Sequence, residues 1–479
     1  MSNTAQVFQT NSATRWKSIK WTSRIILLVI LFLLAVLVLA VINGRNPNLP
    51  NISSKAKYYQ AKLDPANKLT FTSPLNRKFK GFKDFLEKQQ QEDSLKKVQR
   101  TKLHAPQIRA AFYTPWLSTS LPDLKRNGDK LNTIFPEWFF IDPVTHKLQT
   151  RIDSAGLAVM KQKSLSIQPI FTNFYSNKNG NGTGDFDGDL AHVIINDPVK
   201  RKGIITQIAD TLIYYQLQGL NIDLEELKER SNETLTRFQK ELYEALHSKG
   251  LLVSMDVSPK NEDYDYKALA DYNDHLILMA YDQYNDASGA GPISAQKWIE
   301  EQLDWLDNQV DASKIILGVA GYGRDWYTDE DGKHVTDLTY TEVIDKAKLA
   351  DAKPIFDNDS YNLRFNYLET ETDTSAETKH SIWFTDAATI FNILRYSDDY
   401  ETAGTALWHL GGEDPRTWNF YGRSLSTASL RKDSFDFNSL SHLPADPNRK
   451  PTAKGGGELL DIVFTPGQGT IKLETDKNE

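Results

Sequence analysis

The sequence predicts an α/β protein, namely a (β/α)8 TIM barrel with a small α+β insertion between strands 7 and 8, preceded by one transmembrane helix and a stalk. Short apolar runs alternate with amphipathic helices eight times between residues 106 and 424, which is typical of a parallel sheet closed into a barrel. The polar stretch 327–395 exceeds what one barrel unit needs and is predicted as the insertion. A long apolar run near the N-terminus predicts the membrane segment.

The predicted barrel strands are short and apolar. They are Arg109–Tyr113, Thr133–Phe140, Ser166–Phe171, Gly219–Leu224, Leu251–Val257, His275–Ala280, Lys314–Val319 and Thr405–Leu410. The helix after the fourth strand carries apolar residues on one face from Leu235 to Leu246, and Gly250 ends it. The helix before that strand begins at Asp197-Pro198, a capping residue followed by proline in the first turn.

The predicted membrane segment is the uninterrupted apolar run of 18 residues at 25–42, which is just long enough to cross a bilayer core. Four basic residues precede it: Arg15, Lys17, Lys20 and Arg24. By the positive-inside rule, residues 1–24 form a cytoplasmic tail and the barrel lies on the outer side, periplasmic or extracellular. A cleaved signal peptide is the alternative, because the stretch at 38–40 would allow cleavage, although the run exceeds the usual signal core.

Two further segments flank the predicted barrel. Residues 43–105 begin with a turn-rich exit from the membrane and continue as a strongly charged stretch, which we interpret as a stalk without catalytic residues. Residues 425–479 are polar, contain a glycine-rich hinge at 455–457 and end in a hairpin-like piece. We interpret them as a linker and tail.

The composition excludes several classes of function. The net charge is -7, whereas phosphate binding requires a basic surface, so no nucleic-acid partner is expected. The chain has no cysteine, which excludes disulfides, thiolate nucleophiles and cysteine-based metal sites. The nine histidines are scattered without a zinc-binding spacing. We therefore expect neither a metal nor a cofactor.

The candidate catalytic residues lie in the stretch from Gln218 to Glu225, which contains the fourth predicted strand. Side chains alternate along a strand, so Asn221, Asp223 and Glu225 share one face and the apolar residues between them share the other. Such alternation is also ordinary in an antiparallel strand with one solvated face. The flanking amphipathic helices favour a buried parallel strand, whose polar face then points into the barrel near its catalytic end.

This stretch is similar to the DGxDxDxE signature of glycoside hydrolase family 18, the chitinase-like barrels. Three further motifs follow in the order that the family shows. Met279–Asp282 resembles the MxYD motif, Gly318–Arg324 resembles GxxxYGR, and Trp408 matches the tryptophan that forms the floor of the sugar subsite. The resemblance covers residues 109–424.

The resemblance implies a role for each matching residue. Glu225 would be the general acid, and Asp223 would hold the 2-acetamido group of the substrate and stabilise the oxazolinium that forms. Tyr281 would bond the acetamide carbonyl, with Asp282 supporting the same subsite. The substrate would carry an N-acetylated hexosamine and supply the nucleophile itself. Two carboxyl groups this close favour sharing a proton, as an acid catalyst near neutral pH requires.

Two positions depart from the signature. Its first two aspartates are replaced by Gln218 and Asn221, and Asn221 is expected to donate a hydrogen bond to Asp223 and to contact substrate. Further candidates for substrate binding are less specific. They are Tyr113, Trp116, Glu137, Tyr322 and Arg324. A packing role is the alternative for the two aromatic residues after the first strand, and an ion pair with an acid such as Asp325 is the alternative for Arg324.

The segment ALWHLGGEDPRTW, which includes the eighth predicted strand, resembles the first module of bacterial trimodular envelope proteins. In those proteins such a barrel precedes a polysaccharide deacetylase and a family 2 glycosyltransferase. This resemblance implies partners in polysaccharide synthesis and a role in cell-envelope or exported polysaccharide metabolism. Three functions are compatible with the sequence: a hydrolase of N-acetylhexosamine glycans, an inactive module that binds a nascent polysaccharide, and a scaffold of a synthesis complex. The motifs leave linkage and endo or exo action open.

Overall fold

The computed structural model describes residues 107–176, 178, 184–329, 331–369 and 377–425, together with the backbone of residues 461–465 and 470–474. Within those ranges no helix combines the length and the apolar character that a membrane crossing needs. The predicted cytoplasmic tail (1–24), membrane segment (25–42) and stalk (43–105) lie outside the described residues.

The strands and helices follow one another along the chain in a largely alternating order. The strands are β1 Ile108–Tyr113, β2 Thr133–Ile141, β3 Leu148–Thr150, β4 Ser166–Ile167, β5 Ile170–Thr172, β6 Phe174–Tyr175, β7 Asp185–Phe186, β8 Gly219–Asp223, β9 Leu252–Val257, β10 His275–Leu278, β11 Ile315–Ala320, β12 Gly323–Asp329, β13 Gly332–Leu338, β14 Ile355–Phe356, β15 Leu363–Glu369, β16 Thr378–Phe384, β17 Gly404–Trp408, β18 Asp461–Thr465 and β19 Thr470–Glu474. The α-helices are α1 Ser120–Asn127, α2 Ser154–Gln162, α3 Gly188–Asn196, α4 Pro198–Tyr215, α5 Glu233–His247, α6 Tyr266–Asp271, α7 Gln296–Asp307, α8 Tyr340–Leu349 and α9 Ala387–Asp399. Short 3-10 helices lie at Gly128–Lys130, Ala312–Lys314 and Pro415–Asn419.

Eight parallel strands close into the barrel that the sequence predicts. Their order is β1, β2, β5, β8, β9, β10, β11 and β17, and β1 pairs with both β2 and β17 to complete the circle. The third predicted strand is split into β4 and β5 on either side of Pro169. Proline has no N–H to donate to a backbone hydrogen bond of the sheet. The Pro169 carbonyl still accepts from the Asn221 N–H at 2.9 Å.

Two apolar layers explain why the barrel closes. A small inner cluster fills the lumen with residues from alternating strand positions. It consists of Ala110, Phe112, Phe135, Ile170, Ile277, Ile316 and Ala406. Leu220, Ile222 and Leu224 point the other way and are fully buried against the helices. The alternation predicted for the fourth strand is therefore confirmed, and it leaves the polar residues of that strand in the lumen.

The helices around β8 begin where the sequence places them. Asp197 caps α4 by accepting from the N–H groups of Val199 and Lys200, and Pro198 occupies the first turn. Asn232 caps α5 in the same way, and Gly250 follows that helix with a φ of 73°, which favours glycine. These caps satisfy N–H groups that a helix leaves unpaired at its start, and they hold both helices against the strand that carries the site.

The insertion is a five-stranded antiparallel sheet with the order β13, β12, β16, β15 and β14, accompanied by α8. Its first strand starts at Gly323, directly after β11, so the sheet stands at the C-terminal end of the barrel strands. Helix α9 begins within the predicted insertion range but packs against β11 and β17 as part of the barrel wall. At the end of the chain, β18 and β19 form an antiparallel hairpin, as the sequence predicts.

Candidate active site

The candidate site lies at the C-terminal ends of β2, β8, β9 and β10, with further residues from β12 and β17. Asn221 and Asp223 point into the lumen from β8, and Glu225 follows one residue after an outward-facing leucine. Loops at this end of a barrel are where catalytic residues of such folds come together. The sequence-predicted pair is thus placed at the mouth of a closed barrel.

Asp223 is surrounded by protein and by other acids. Burial raises the pKa of Asp223 to about 7, the charge of Glu137 adds to this, and a hydrogen bond with Thr172 opposes it. Among the described residues, Asp223 Oδ1 has no hydrogen-bond partner although it is buried. A carboxyl group in this state is half ionised near neutral pH and has an oxygen available to accept a donor from a ligand.

Glu225 is held through its backbone by Asn173. The Asn173 amide nitrogen donates to the Glu225 carbonyl at 2.9 Å, and the Glu225 N–H donates to the Asn173 amide oxygen at 3.0 Å. Burial raises the pKa of Glu225 well above its usual range, and the charges of Asp223 and Asp282 add to this, while a hydrogen bond with Ser258 opposes it. Burial and the neighbouring charges therefore favour the protonated form, from which a general acid donates.

The loop after Glu225 is strained and externally braced. Glu226 and Lys228 adopt φ values of 56° and 57°, in the left-handed region that favours glycine. The carboxylate of Asp263 accepts from the N–H groups of Lys228 and Glu229 at 3.0 and 2.7 Å, and fixes this turn. Strain of this kind is held in place by its surroundings and is common beside catalytic groups.

Gly188 packs against the same turn, and replacing it with alanine tests how closely the turn is held there. A Cβ atom there would lie 2.0 Å from the Glu226 carbonyl oxygen, so the turn that carries Glu225 would have to shift. We expect a loss of about 1 to 3 kcal/mol in the free energy of unfolding. Hydrolytic activity should fall about tenfold or more, because small displacements of a catalytic group are costly.

The matched control is Gly203→Ala in α4. A Cβ atom at Gly203 meets nothing within 4 Å, so alanine should raise the melting temperature and leave hydrolysis unchanged. Thermal unfolding and turnover measured on both variants would decide. If Gly188→Ala had the melting temperature and rate of the wild type, the turn would not be held from this side.

The floor of the site is aromatic. Trp408 ends β17 and lies nearly parallel to Tyr281, with ring centroids 6.4 Å apart and an interplanar angle of 17°. Phe112 of the inner cluster meets Trp408 edge to face at 5.2 Å. The peptide bond between Trp408 and His409 is cis. Tyr281 is buried, and burial raises its pKa well above the usual value, so its hydroxyl remains a hydrogen-bond donor.

Asp282, Tyr322 and Arg324 form one network at the rim. The Tyr322 hydroxyl donates to Asp282, and Arg324 pairs with Asp282 at 2.9 Å. Arg324 also pairs with Asp337 at 2.5 Å. The alternative partner that the sequence suggests for Arg324, Asp325, instead pairs with His380 at 2.9 Å. Neighbouring residues on a strand face opposite sides, so Arg324 and Asp325 point apart.

Glu137 and Trp116 form a second polar edge. The Trp116 ring N–H donates to Glu137 at 2.7 Å, and 63% of the Trp116 surface is exposed. Its ring meets His409 edge to face at 5.6 Å. Burial lowers the pKa of His409 to about 4, so the imidazole is neutral at physiological pH. Glu137 and Trp116 thus lie in the site, and Trp116 presents an aromatic face to solvent.

Tyr113 does not line the site. It points outward from β1, where its hydroxyl donates to Asp153 at 2.5 Å and its ring packs in the outer core. The residue before it, Phe112, is the one that faces the lumen. The expectation of a binding role for Tyr113 is therefore wrong, and the packing alternative is confirmed.

Asn221 has a different partner from the one that the sequence suggests. Its amide nitrogen donates to Asp256 at 2.6 Å, and its amide oxygen accepts from the Ser254 hydroxyl at 2.8 Å. The expected bond to Asp223 is not among its hydrogen bonds in the described part of the chain. Ser254 and Asp256 were not recognised from the sequence, although they alternate with apolar residues along β9 as Asn221 and Asp223 do along β8.

Five carboxyl groups therefore meet at this end of the barrel: Glu137, Asp223, Glu225, Asp256 and Asp282. Burial raises the pKa of each of them. Arg324 offsets part of the charge at Asp282. Neighbouring acids whose pKa values are separated by their surroundings can carry out acid and base steps side by side.

Comparisons with known proteins show what the chain is similar to. The family model described as glycosyl hydrolases family 18 matches residues 182–413. The chain is 25% identical over 271 residues to the uncharacterized glycosylase YvbX of Bacillus subtilis, covering 55% of this chain and 76% of that protein. It is 24% identical over 248 residues to the cortical fragment-lytic enzyme of the same organism, covering 49% of this chain and 56% of the relative.

Solved structures show the same fold. A chitinase from Chromobacterium violaceum aligns with a TM-score of 0.59 and 22% identity, over 67% of this chain and all of the other. The fold and the site together define a barrel glycoside hydrolase. Over residues 182–413 of this barrel, the chain matches glycoside hydrolase family 18.

Proposed function

We propose that the protein hydrolyses glycans that contain N-acetylhexosamine, by a retaining mechanism in which the acetamido group of the substrate is the nucleophile. The observation that carries this proposal is the pair on β8. Asp223 has a pKa of about 7, and the pKa of Glu225 is raised well above the usual range. An ionised Asp223 beside a protonated Glu225 is the combination that this mechanism requires.

The steps follow from these two protonation states. Glu225 gives its proton to the glycosidic oxygen, and the bond from that oxygen to C1 breaks. The acetamido carbonyl oxygen bonds to C1 and forms an oxazolinium, whose N–H donates to ionised Asp223 and whose positive charge that carboxylate stabilises. Water then attacks C1 and gives a proton to Glu225, the bond from C1 to the acetamido oxygen breaks, and the original configuration is restored.

The aromatic floor fits the same substrate. The Tyr281 hydroxyl is available to the acetamide carbonyl, and Trp408 offers its ring to the apolar face of a sugar. The relatives support the substrate class, because one is named for lysing cortical fragments and a human relative, 23% identical, is named di-N-acetylchitobiase. An exported or envelope polysaccharide is the substrate that we propose.

We further propose that residues 25–42 anchor the protein in a membrane, with the N-terminus cytoplasmic and the barrel on the outer side. The apolar run and the basic residues before it support this location. Such a position would bring the barrel close to polysaccharide synthesis machinery, with which it would share a product or substrate.

The function is tested with the full chain purified in detergent. It would be incubated with N-acetylglucosamine oligomers, peptidoglycan and poly-N-acetylglucosamine, with cellulose oligomers as the matched control that lacks acetamido groups. We expect fragments from at least one acetylated glycan and none from cellulose, detected by mass spectrometry, with the β or α configuration retained in the first product. Release from cellulose at a similar rate would refute substrate assistance.

A binding module is the second candidate, and the departure at Asn221 favours it, since that side chain is committed to Asp256. In this case the protein would bind an acetylated glycan in calorimetry without cutting it, and Glu225→Gln would bind equally well. Cleavage that disappears in Glu225→Gln would exclude this candidate.

A further inference from the structure

A buried polar network joins β8 to β9 beneath the catalytic pair. Asn221 is fully buried, and its side-chain amide bonds to two residues of β9. It donates to Asp256 at 2.6 Å and accepts from Ser254 at 2.8 Å. Asp256 itself is only 3% exposed. Burying a carboxyl group with one partner is costly, and the proposed mechanism gives this group no part.

The strand register places Asp256 beside Asp223. Asn221 pairs with Ser254 and Ile222 pairs with Met255, so Asp223 and Asp256 come next on the two strands. Adjacent strands lie about 4.8 Å apart, which makes the two carboxyl groups inward-facing neighbours. Among the described residues, one oxygen of each, Oδ1, is buried without a hydrogen-bond partner.

The surroundings of Asp256 are acidic or neutral. The titratable groups that act on it are Asp223 at the end of β8 and Glu225 two residues later, and Tyr281 acts from the segment after β10. The position across from it on β10 is Ile277. Burial first, and then the charge of Asp223, raise the pKa of Asp256 well above its usual range, and the hydrogen bond from Asn221 opposes this.

We infer that Asp256 is a positioning residue of the proposed hydrolase, and that β9 supplies the buried carboxyl group that β8 lacks at residue 221. This inference rests on the proposed function. Asp256 fixes the Asn221 amide, and Asn221 is the first of the inward-facing polar residues that lead to the catalytic pair. It also holds a proton next to Asp223, so that the neighbouring pair carries one negative charge instead of two when Asp223 accepts the acetamido N–H.

Two substitutions separate these roles. Asp256→Ala removes the acceptor of the Asn221 amide and should lower kcat about tenfold to a hundredfold, with KM changed much less, because a buried charged-group hydrogen bond is lost. Asp256→Asn keeps an acceptor for that amide but cannot ionise. Because Asp256 keeps its proton in the inferred role, this neutral side chain should recover most of the kcat that Asp256→Ala loses, and both limbs of the kcat/KM pH profile should stay in place.

The carboxyl group can also be moved between the strands. Asn221→Asp alone puts an additional acid against Asp256 and should lower activity. The double variant N221D/D256N returns to one carboxyl group, now on the opposite strand, and should recover kcat towards the wild-type value. The inference is overturned if Asp256→Ala keeps the wild-type kcat, if Asp256→Asn is no more active than Asp256→Ala, or if the double variant is no better than Asn221→Asp.

Asp386→Asn is the matched control. Asp386 is also fully buried and caps α9 by accepting from the Thr389 N–H at 2.7 Å, which asparagine can preserve. It should alter the melting temperature at most and leave both pH limbs unchanged. An infrared pH titration of protonated carboxyl groups, wild type minus Asp256→Asn, requires no turnover. If the wild type cuts no glycan, the proposed function is wrong. If the infrared spectrum shows no band of protonated Asp256 at neutral pH, this inference is wrong whatever the activity.

Discussion

Replacing Glu225 with glutamine is expected to lower kcat on an N-acetylglucosamine oligomer by about a thousandfold, within the range that general acid catalysis contributes. Glutamine has nearly the same shape and keeps the backbone clamp by Asn173, whose two hydrogen bonds involve only the main chain of residue 225. It has no proton to give to the leaving oxygen. KM should therefore change little, since the loss falls on the transition state.

The same variant should lose much less activity on a glycoside with an activated leaving group, because a weakly basic oxygen leaves without protonation. Glu226→Gln is the matched control. Its side chain is largely exposed and lies 3.5 Å from Lys228, so we expect nearly wild-type kcat. Equal losses for natural and activated substrates in Glu225→Gln would contradict the acid role, and a thousandfold loss in Glu226→Gln would show that the turn had collapsed.

Much of the fold could be predicted because local and long-range signals agree. The alternation in β8, the proline that starts α4 and the glycine after α5 each satisfy a local rule, and all three are compatible with the same parallel barrel. The break of the third strand at Pro169 was also readable in principle, since proline removes a ladder donor. The insertion ends were less readable, because a new sheet starts at Gly323 without a spacer.

Side-chain partners could not be predicted in the same way. Tyr113 and Phe112 differ by one strand position, and that step decides between lumen and outer core. Near Glu137 the pairing of β2 with β5 shifts by one residue, so that Ile170 and Phe171 face Glu137 and Phe139. The contact between Asn221 and Asp256 depends on which strand follows β8 and in what register. Sequence spacing gives neither the neighbour of β8 nor the register of the pairing. The motif includes only residues in β8 and directly beside it.

Replacing Asp223 with asparagine is expected to lower kcat about a hundredfold to a thousandfold, as when one preorganised group that stabilises transition-state charge is removed. In the wild type, burial and the charge of Glu137 raise the pKa of Asp223 to about 7. Activity should therefore fall as the pH drops through that value, because the protonated carboxyl group no longer offsets the oxazolinium charge. Asparagine does not titrate, so this acidic limb should be absent from the residual kcat/KM profile.

A substrate series separates this charge effect from simple binding. Fluorine atoms on the acetamido methyl group weaken the carbonyl oxygen as a nucleophile without removing the N–H. If that oxygen attacks C1, wild-type kcat falls steadily as one, two and three fluorines are added, and Asp223→Asn lowers every member of the series. A rate that is independent of fluorination would mean that a protein carboxylate is the nucleophile. Asp223 would then be its best candidate, since Glu137 is engaged by Trp116 and Asp282 by Arg324 and Tyr322.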